Sequence, residues 1–338
     1  MNGIERVKAV FKGEIPDRVP FYPIVSGLAA KVIGLKPREY YTDFANLAEA
    51  QVALFEWLKQ DVVALMGDLF VEVEAMGARV EFPEDGMPML RTYVLEEKER
   101  LKSLRVPDPS SDGRLPSYLD ACRKVKQAIK ESPVGGVICG PWTIACNLRG
   151  AENLLIDTKS DPGFVHDLMA FSVEVCKTYA IEVKNAGVGL SLSEAPASIS
   201  LISPKIYRDF VFPYQKALIE DLRKNKIGVT LHICGFIDPI VEDIVSTGLA
   251  ALSMDKPSSL ELVLEKCSGK AVVIGNVSTE VFVRGDRVEI EKEVRRCLEA
   301  GKGKTGYILS TGCEISPRGD LERVRYFCEL AERLGAYN

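Results

Sequence analysis

Short apolar runs rich in β-branched residues recur along the chain, and amphipathic stretches separate them. Between residues 162 and 185, for example, Leu168, Phe171 and Val175 repeat at steps of three or four, which is typical of a helix with one buried face. Eight of the apolar runs predict strands. They cover residues 19–25, 62–67, 134–139, 188–193, 228–233, 250–254, 271–275 and 306–310.

The alternation of strands and helices predicts an α/β fold with a parallel sheet and crossover helices. Many runs are apolar on both faces, which suits strands that are covered on both sides. Eight strands of this kind favour a (β/α)8 TIM barrel, with a doubly wound open sheet as the alternative. The most linker-like segment, residues 106–113, is short, so we expect a single domain over residues 1–338.

Composition narrows the class of protein. Of 338 residues, 46% are hydrophobic and 27% are charged, which is ordinary for a globular protein and excludes a disordered chain. The net charge of −5 argues against binding to nucleic acid, and no apolar run reaches the roughly 18 residues of a membrane helix. The N-terminus lacks the apolar core of a signal peptide. Nine scattered cysteines do not form a disulfide framework, so we expect a cytoplasmic protein.

A barrel predicts where chemistry takes place, because catalytic residues follow the strands at the C-terminal face. Polar and metal-binding side chains are concentrated at these positions of the chain. They are Asp68, Glu194, His232, Cys234, Asp255, Asn276, Cys313 and Glu314, with Gly140 and Pro141 after the third strand.

Three of these residues suggest a metal site. His232 and Cys234 are two apart at the end of a predicted strand, so their side chains point to the same side. Cys313 follows the last predicted strand, and strand ends in a closed barrel share one mouth. One imidazole and two thiolates with a vacant position are typical of catalytic zinc. The alternative is that both cysteines are small buried apolar residues. The other histidine, His166, lies in a helical pattern and is expected to be an ordinary helix side chain.

Several segments together resemble the uroporphyrinogen decarboxylase superfamily along most of the chain. They are residues 5–13, 16–20, 140–143, 203–210, 213–214 and 275–276. The resemblance implies a (β/α)8 barrel, in agreement with the strand pattern. Trp142 and Asn276 lie within these segments, and we assign them to cofactor binding.

The superfamily contains metal-free porphyrinogen decarboxylases and zinc-dependent corrinoid methyltransferases. His232, Cys234 and Cys313 are similar to the His-x-Cys and distant Cys of the second branch, which includes methylcobamide:coenzyme M methyltransferases. The decarboxylases hold substrate carboxylates with arginines in an early segment, and the corresponding residues 21–30 contain no arginine. Asp68 matches an aspartate with which the decarboxylases bind pyrrole nitrogens.

The resemblance therefore implies a zinc-dependent methyltransferase that exchanges a methyl group with a corrinoid on a partner protein. The small-molecule substrate is either a thiol acceptor such as coenzyme M or a methyl ether or methylamine donor. We assign catalytic roles to Asp68, Glu194 and Asp255. Glu194 is the candidate for the fourth zinc ligand, while Asp255 and Glu314 are expected around the ligands. A porphyrinogen decarboxylase and a non-catalytic barrel-shaped binding protein are the alternatives.

Overall fold

The computed structural model describes residues 1–337 and confirms the predicted TIM barrel. Eight parallel strands form the central sheet, one for each predicted run. We number them β1 to β8 in chain order. They are β1 Phe21–Tyr22, β2 Val63–Leu65, β3 Val134–Cys139, β4 Gly189–Ser193, β5 Val229–Ile233, β6 Ala251–Met254, β7 Val272–Val277 and β8 Tyr307–Thr311.

The sheet curls so that β1 pairs with β8. From β3 to β8, each strand pairs with the strand that precedes it in the chain. The seam between β1 and β2 is joined by a backbone hydrogen bond of 2.9 Å from Asp61 N to Phe21 O. Strand β1 is much shorter than the predicted run 19–25. Pro20 and Pro23 flank it, and proline has no N–H for the strand ladder.

The helices follow the strands and cover the outside of the barrel. The longest, Pro162–Asn185, begins where the Asp161 carboxylate accepts a hydrogen bond from Phe164 N at 3.2 Å. The α-helices are Gly3–Phe11, Pro37–Thr42, Phe44–Leu58, Val71–Glu74, Leu115–Ala128, Pro141–Arg149, Ala151–Ser160, Pro162–Asn185, Pro204–Ile206, Phe212–Lys224, Val241–Ser246, Leu260–Cys267, Arg287–Gly301 and Leu321–Gly335. No helix within residues 1–337 is both long enough and apolar enough to span a bilayer.

The barrel has two apolar cores. The larger lies between the strands and the surrounding helices, and fully buried Trp142, Tyr40 and Phe327 belong to it. The smaller lies inside the barrel, where Ile274 and Ile308 pack with Val10 of the first helix. These cores support the strand ends and thereby hold the C-terminal face of the barrel in place.

A small antiparallel hairpin is an addition that the sequence did not predict. Its strands, Val80–Glu81 and Met89–Leu90, are only two residues long, so they carry no periodic signal. The loop between them includes Met87, which reaches the cavity at the C-terminal face described below.

Candidate metal centre

His232 and Cys234 lie on the inner side of the barrel at the end of β5. Residues along this strand alternate, with Val229, Leu231 and Ile233 buried against the helices and His232 turned inward. Cys234 continues the inward-facing row, and its Sγ lies 3.2 Å from His232 Nε2.

Cys313 completes a cluster with these two residues. It follows β8, and its Sγ lies 3.6 Å from Cys234 Sγ and 3.8 Å from His232 Nε2. Within the described residues 1–337, this is the one group of three His, Cys, Asp or Glu side chains whose ligand atoms are close enough to hold a metal. The structure therefore brings together the three residues that the sequence singled out.

The triangle formed by these atoms has the dimensions of one face of a zinc tetrahedron. With zinc–sulfur bonds of about 2.3 Å and zinc–nitrogen bonds of about 2.0–2.1 Å, tetrahedral angles separate two sulfurs by about 3.8 Å and a nitrogen and a sulfur by about 3.6 Å. The observed sulfur–sulfur distance of 3.6 Å and the two nitrogen–sulfur distances of 3.2 and 3.8 Å are close to these values. His232, Cys234 and Cys313 are therefore suited to hold zinc.

The three side chains of the cluster change one another's pKa through hydrogen bonds and charge. Hydrogen bonding from Cys234, supported by His232, lowers the pKa of the Cys313 thiol to about 5. The same contact, together with burial, raises the pKa of Cys234. Burial alone would lower the pKa of His232, but its hydrogen bond to Cys313 and the charge of that residue raise it overall. The cluster thus already favours negative charge on one sulfur, and a divalent cation would displace the remaining protons.

Ser253 holds the imidazole of His232 in place. These residues are neighbours in the register of β5 and β6, and the Ser253 hydroxyl lies 2.9 Å from His232 Nδ1. A partner on Nδ1 leaves Nε2 directed at the two sulfurs. Sequence reasoning missed Ser253, although the pairing of parallel strands could have indicated it.

Asp255 and Asn276 support the loop that follows Cys234. Asp255 accepts a hydrogen bond from Gly235 N at 2.9 Å, and Asn276 Nδ2 donates to Asp255 O at 3.1 Å. Gly235 has a φ of +66°, and a Cβ there would lie 2.6 Å from Ser198 Oγ, so only glycine fits this turn. Neither Asp255 nor Asn276 lines the cavity next to the cluster. Asp255 as a catalytic group and Asn276 as a cofactor contact stay predictions that this geometry does not support.

Glu194 does not join the cluster. Its buried carboxylate accepts hydrogen bonds from Trp142 N at 3.2 Å and Thr143 N at 2.8 Å, at the N-terminus of the Pro141–Arg149 helix. The Thr143 hydroxyl and Gln215 Nε2 also donate hydrogen bonds to this carboxylate, at 3.0 and 3.1 Å. Burial raises the pKa of Glu194, while these hydrogen bonds oppose the shift. Glu194 as the fourth ligand stays a prediction that this geometry does not support, because the helix N-terminus occupies both carboxylate oxygens.

Trp142 and Asp68 also lie outside the cavity. The Trp142 ring is fully buried among the helices, and its Nε1 donates to Pro196 O at 3.3 Å. The Asp68 carboxylate forms an ion pair of 2.8 Å with Arg114 Nη1. Trp142 as a cofactor contact and Asp68 as a catalytic group stay predictions that this geometry does not support.

Glu314 is the acidic residue that the structure does place beside the cluster. It accepts a hydrogen bond of 3.1 Å from the Tyr41 hydroxyl and lines the cavity. Burial, reinforced by the neighbouring charge of Cys313, raises the pKa of Glu314 to about 8. The sequence had placed Glu314 around the ligands, and the structure agrees with that position.

The cluster opens onto a cavity of about 250 Å³ at the C-terminal face of the barrel. Its other walls are mainly apolar. They include Tyr22, Ile24, Met66, Leu69, Met87 and Val137. A zinc ion held by these three residues at the wall of such a cavity would keep its fourth coordination position open to a substrate, which is typical of catalytic rather than structural zinc.

Comparison with known proteins places this architecture in a family. Residues 2–334 match the family model described as uroporphyrinogen decarboxylase (URO-D). The chain belongs to the uroporphyrinogen decarboxylase family. This member is 25% identical to the methylcobamide:CoM methyltransferase MtaA of Methanosarcina barkeri, over 95% of this chain and 94% of the relative. It is 27% identical to a uroporphyrinogen decarboxylase of Legionella pneumophila, over 88% of each chain.

One solved structure is similar to this chain over nearly its whole length. A methyltransferase from Methanosarcina mazei superposes with a TM-score of 0.90 at 25% identity, covering 99% of this chain and 100% of that structure. This uroporphyrinogen decarboxylase family member is thus similar both to methyltransferases and to decarboxylases. Its own site residues are needed to choose between these two reactions.

Proposed function

We propose that this protein is a zinc-dependent methyltransferase that exchanges a methyl group between a corrinoid and a small substrate. The observation that carries the proposal is the triangle of His232 Nε2, Cys234 Sγ and Cys313 Sγ on the wall of a mostly apolar cavity at the C-terminal face of the barrel. The similarity to methylcobamide:CoM methyltransferases supports the same chemistry.

In this proposal the chain binds and orients the substrate, and the corrinoid carries the methyl group. Zinc, when bound, supplies a Lewis acid that keeps a substrate thiol deprotonated or polarises a methyl ether. His232, Cys234 and Cys313 hold it, and Ser253 fixes the imidazole. The apolar walls exclude water from the reacting atoms.

The reaction balances in either direction. When a thiol accepts the methyl group, a sulfur–carbon bond forms and the cobalt–carbon bond breaks. Cobalt keeps the electron pair and is reduced from Co(III) to Co(I), and the thiol proton leaves to solvent. When a methyl ether is the donor, Co(I) takes the methyl group and becomes Co(III), and the alkoxide leaving group takes up a proton.

The corrinoid is expected on a separate protein. A cavity of about 250 Å³ has room for roughly eight water molecules, and a corrinoid is many times larger than that. In this proposal the methylated cobalt therefore approaches the cavity from outside, and a partner protein carries the corrinoid. All nine cysteines are free thiols, which suits a reducing compartment such as the cytoplasm.

A porphyrinogen decarboxylase is the second candidate, because decarboxylases are among the relatives. A porphyrinogen carries several carboxylates, and cations must bind them. Among residues 1–337, no arginine or lysine lines the cavity, and Asp68 is already paired with Arg114. A non-catalytic binding protein would have no need of three converging soft ligands.

The proposal is tested by metal analysis together with a methyl-transfer assay. Purified protein is expected to contain about one zinc per chain and to consume methylcobalamin when a substrate is added. Cys234→Ser should lose both properties, because a serine hydroxyl stays protonated at neutral pH and binds zinc poorly. Cys328→Ser is the matched control, since Cys328 is buried in the last helix, away from the cluster. Full zinc content and activity in Cys234→Ser would contradict the proposal.

A further inference from the structure

We propose that the substrate of this enzyme is a small uncharged molecule with an apolar body, rather than an anionic thiol. The inference rests on the proposed methyltransferase function and specifies its substrate class. It starts from the charges that line the cavity, because the groups around a buried ligand decide which charge that ligand can carry.

Positive charge is missing from the cavity wall. Among residues 1–337, no lysine or arginine side chain borders the space next to the cluster. The ionisable groups that do are His232, Cys234, Cys313, Glu314 and Tyr22. The imidazole is one of the proposed metal ligands, and thiol, carboxyl and phenol groups supply no positive charge. None of these groups pairs with an anion.

Two basic residues outside the cavity, Arg114 and Lys256, already form ion pairs with carboxylates. Arg114 Nη1 lies 2.8 Å from Asp68 Oδ2, and the same guanidinium also pairs with Glu74. Lys256 follows β6, but its Nζ lies 3.6 Å from Glu293 and lines a separate surface groove. A sulfonate or carboxylate inside the cavity would therefore be buried without a counter-ion, close to the thiolates and Glu314. Burying an unpaired charge in this way is strongly unfavourable.

The remaining polar groups suit a neutral substrate. Besides Ser253, which contacts His232, the hydroxyls of Ser191 and Ser193 line the cavity and can orient one oxygen or sulfur atom. Leu69, Met66 and the other apolar residues take the hydrocarbon part. Thioether side chains are flexible and make favourable contacts with aromatic rings. The volume of about 250 Å³ matches a molecule of roughly eight non-hydrogen atoms, such as a methoxybenzene or a small thiol.

The test compares substrates that differ by one negative charge. Zinc-loaded protein is assayed with methylcobalamin and two thiols, 2-mercaptoethanesulfonate and its neutral analogue 2-(methylsulfonyl)ethanethiol. We expect kcat/KM to be at least about tenfold higher for the neutral thiol, since no cation offsets the charge of the other. Equal or higher kcat/KM for the sulfonate would overturn the inference. Methoxybenzene and 4-methoxybenzoate with cob(I)alamin form the corresponding pair for the donor direction.

Calorimetric binding of the same compounds separates this inference from the proposed function. Tighter binding of the neutral member of each pair supports the inference even where no methyl group moves, and equal or tighter binding of the anion contradicts it. Methyl transfer to the sulfonate with normal zinc content would leave the proposed function standing and remove only this inference.

A designed change at the cavity mouth gives a second test. Met87 lines the cavity but is 47% exposed, so a polar residue there does not endanger folding. Met87→Lys introduces a cation and should raise the preference for the sulfonate by at least about threefold relative to Met87→Gln, which changes polarity without charge. An identical preference in the two variants would show that charge at the wall does not control selection and would count against the inference.

Discussion

The hydroxyl of Ser253 lies 2.9 Å from Nδ1 of His232, directly across the pairing of β5 and β6. This contact fixes the ring plane, and the fixed ring directs Nε2 at Cys234 and Cys313. A neutral imidazole has one donor and one acceptor nitrogen, so an occupied Nδ1 also determines which nitrogen is free for a metal. The geometry of the cluster therefore depends on a serine that is not one of its three candidate ligands.

Removing the hydroxyl should weaken metal binding without removing a ligand. We expect Ser253→Ala to lower zinc affinity by about 10–100-fold, as observed when such supporting contacts are lost in other proteins. Competition with a chelating dye measures the affinity. Ser191→Ala is the matched control, because Ser191 lines the same cavity and makes no contact with His232. Equal losses in both variants would mean that cavity polarity, and not ring orientation, sets the affinity.

Glu194 should behave as a structural carboxylate. Both of its oxygens accept hydrogen bonds, so Glu194→Gln places an amide group against backbone N–H donors. We expect the free energy of unfolding to fall by about 1–3 kcal/mol, with zinc content unchanged. Urea denaturation and metal analysis measure the two effects, and exposed Glu299→Gln serves as the control. Loss of zinc at unchanged stability would instead identify Glu194 as a ligand.

The contrast between Cys234 and Glu194 shows how far the sequence determines the site. His232 and Cys234 are two residues apart at the end of β5, so alternation along the strand puts both side chains on the same side, which is the inside of the barrel. The same alternation applies to β4, where Ser191 and Ser193 line the cavity and Glu194 points to the other side. Strand-end position alone had suggested that Glu194 faces the mouth. Alternation, counted from the serines, would have excluded it.

Other features lay beyond sequence reasoning for physical reasons. The eight strands were predictable because buried parallel strands are continuous apolar runs. The loop carrying Met87 was not, since it belongs to a two-residue hairpin that only tertiary packing stabilises. The charge around the cavity depends on which basic residues form ion pairs. Arg114 pairs with Asp68, which lies 46 positions away in the chain, and the sequence alone does not indicate such a distant contact.

Glu72 should make stability depend on pH. Burial raises the pKa of its carboxyl above the usual value of 4.5, while Cys139 N donates to Oε1 at 2.7 Å. The folded state therefore holds this proton at a pH where the unfolded chain releases it, so the group destabilises the fold progressively as pH rises above about 4.5. Glu72→Gln keeps the acceptor and removes this titration.

The difference in the free energy of unfolding between Glu72→Gln and the parent should consequently grow in favour of the variant as pH increases from 4.5 towards neutral. Urea denaturation at a series of pH values measures it, and the subtraction cancels the other titrating groups. Exposed Glu299→Gln, measured over the same range, is the control for the substitution of a carboxylate by an amide. A flat difference for Glu72→Gln would mean that the carboxyl titrates normally in the fold.

Cys313→Ser should distinguish a catalytic zinc from a structural zinc. A structural zinc is closed by four protein ligands, and its loss unfolds the domain, whereas a catalytic zinc keeps an open position. The barrel has its own apolar cores inside and outside the sheet, neither of which includes His232 or Cys313. We therefore expect this variant to lose zinc and methyl transfer while its far-ultraviolet circular dichroism stays unchanged.

The melting temperature of Cys313→Ser should shift by only a few degrees, because even about 1–2 kcal/mol moves the midpoint of a large domain little. Removing the metal from the parent with a chelator should reproduce that shift. An unfolded variant would make the zinc structural, and a fully active one would exclude Cys313 as a required ligand.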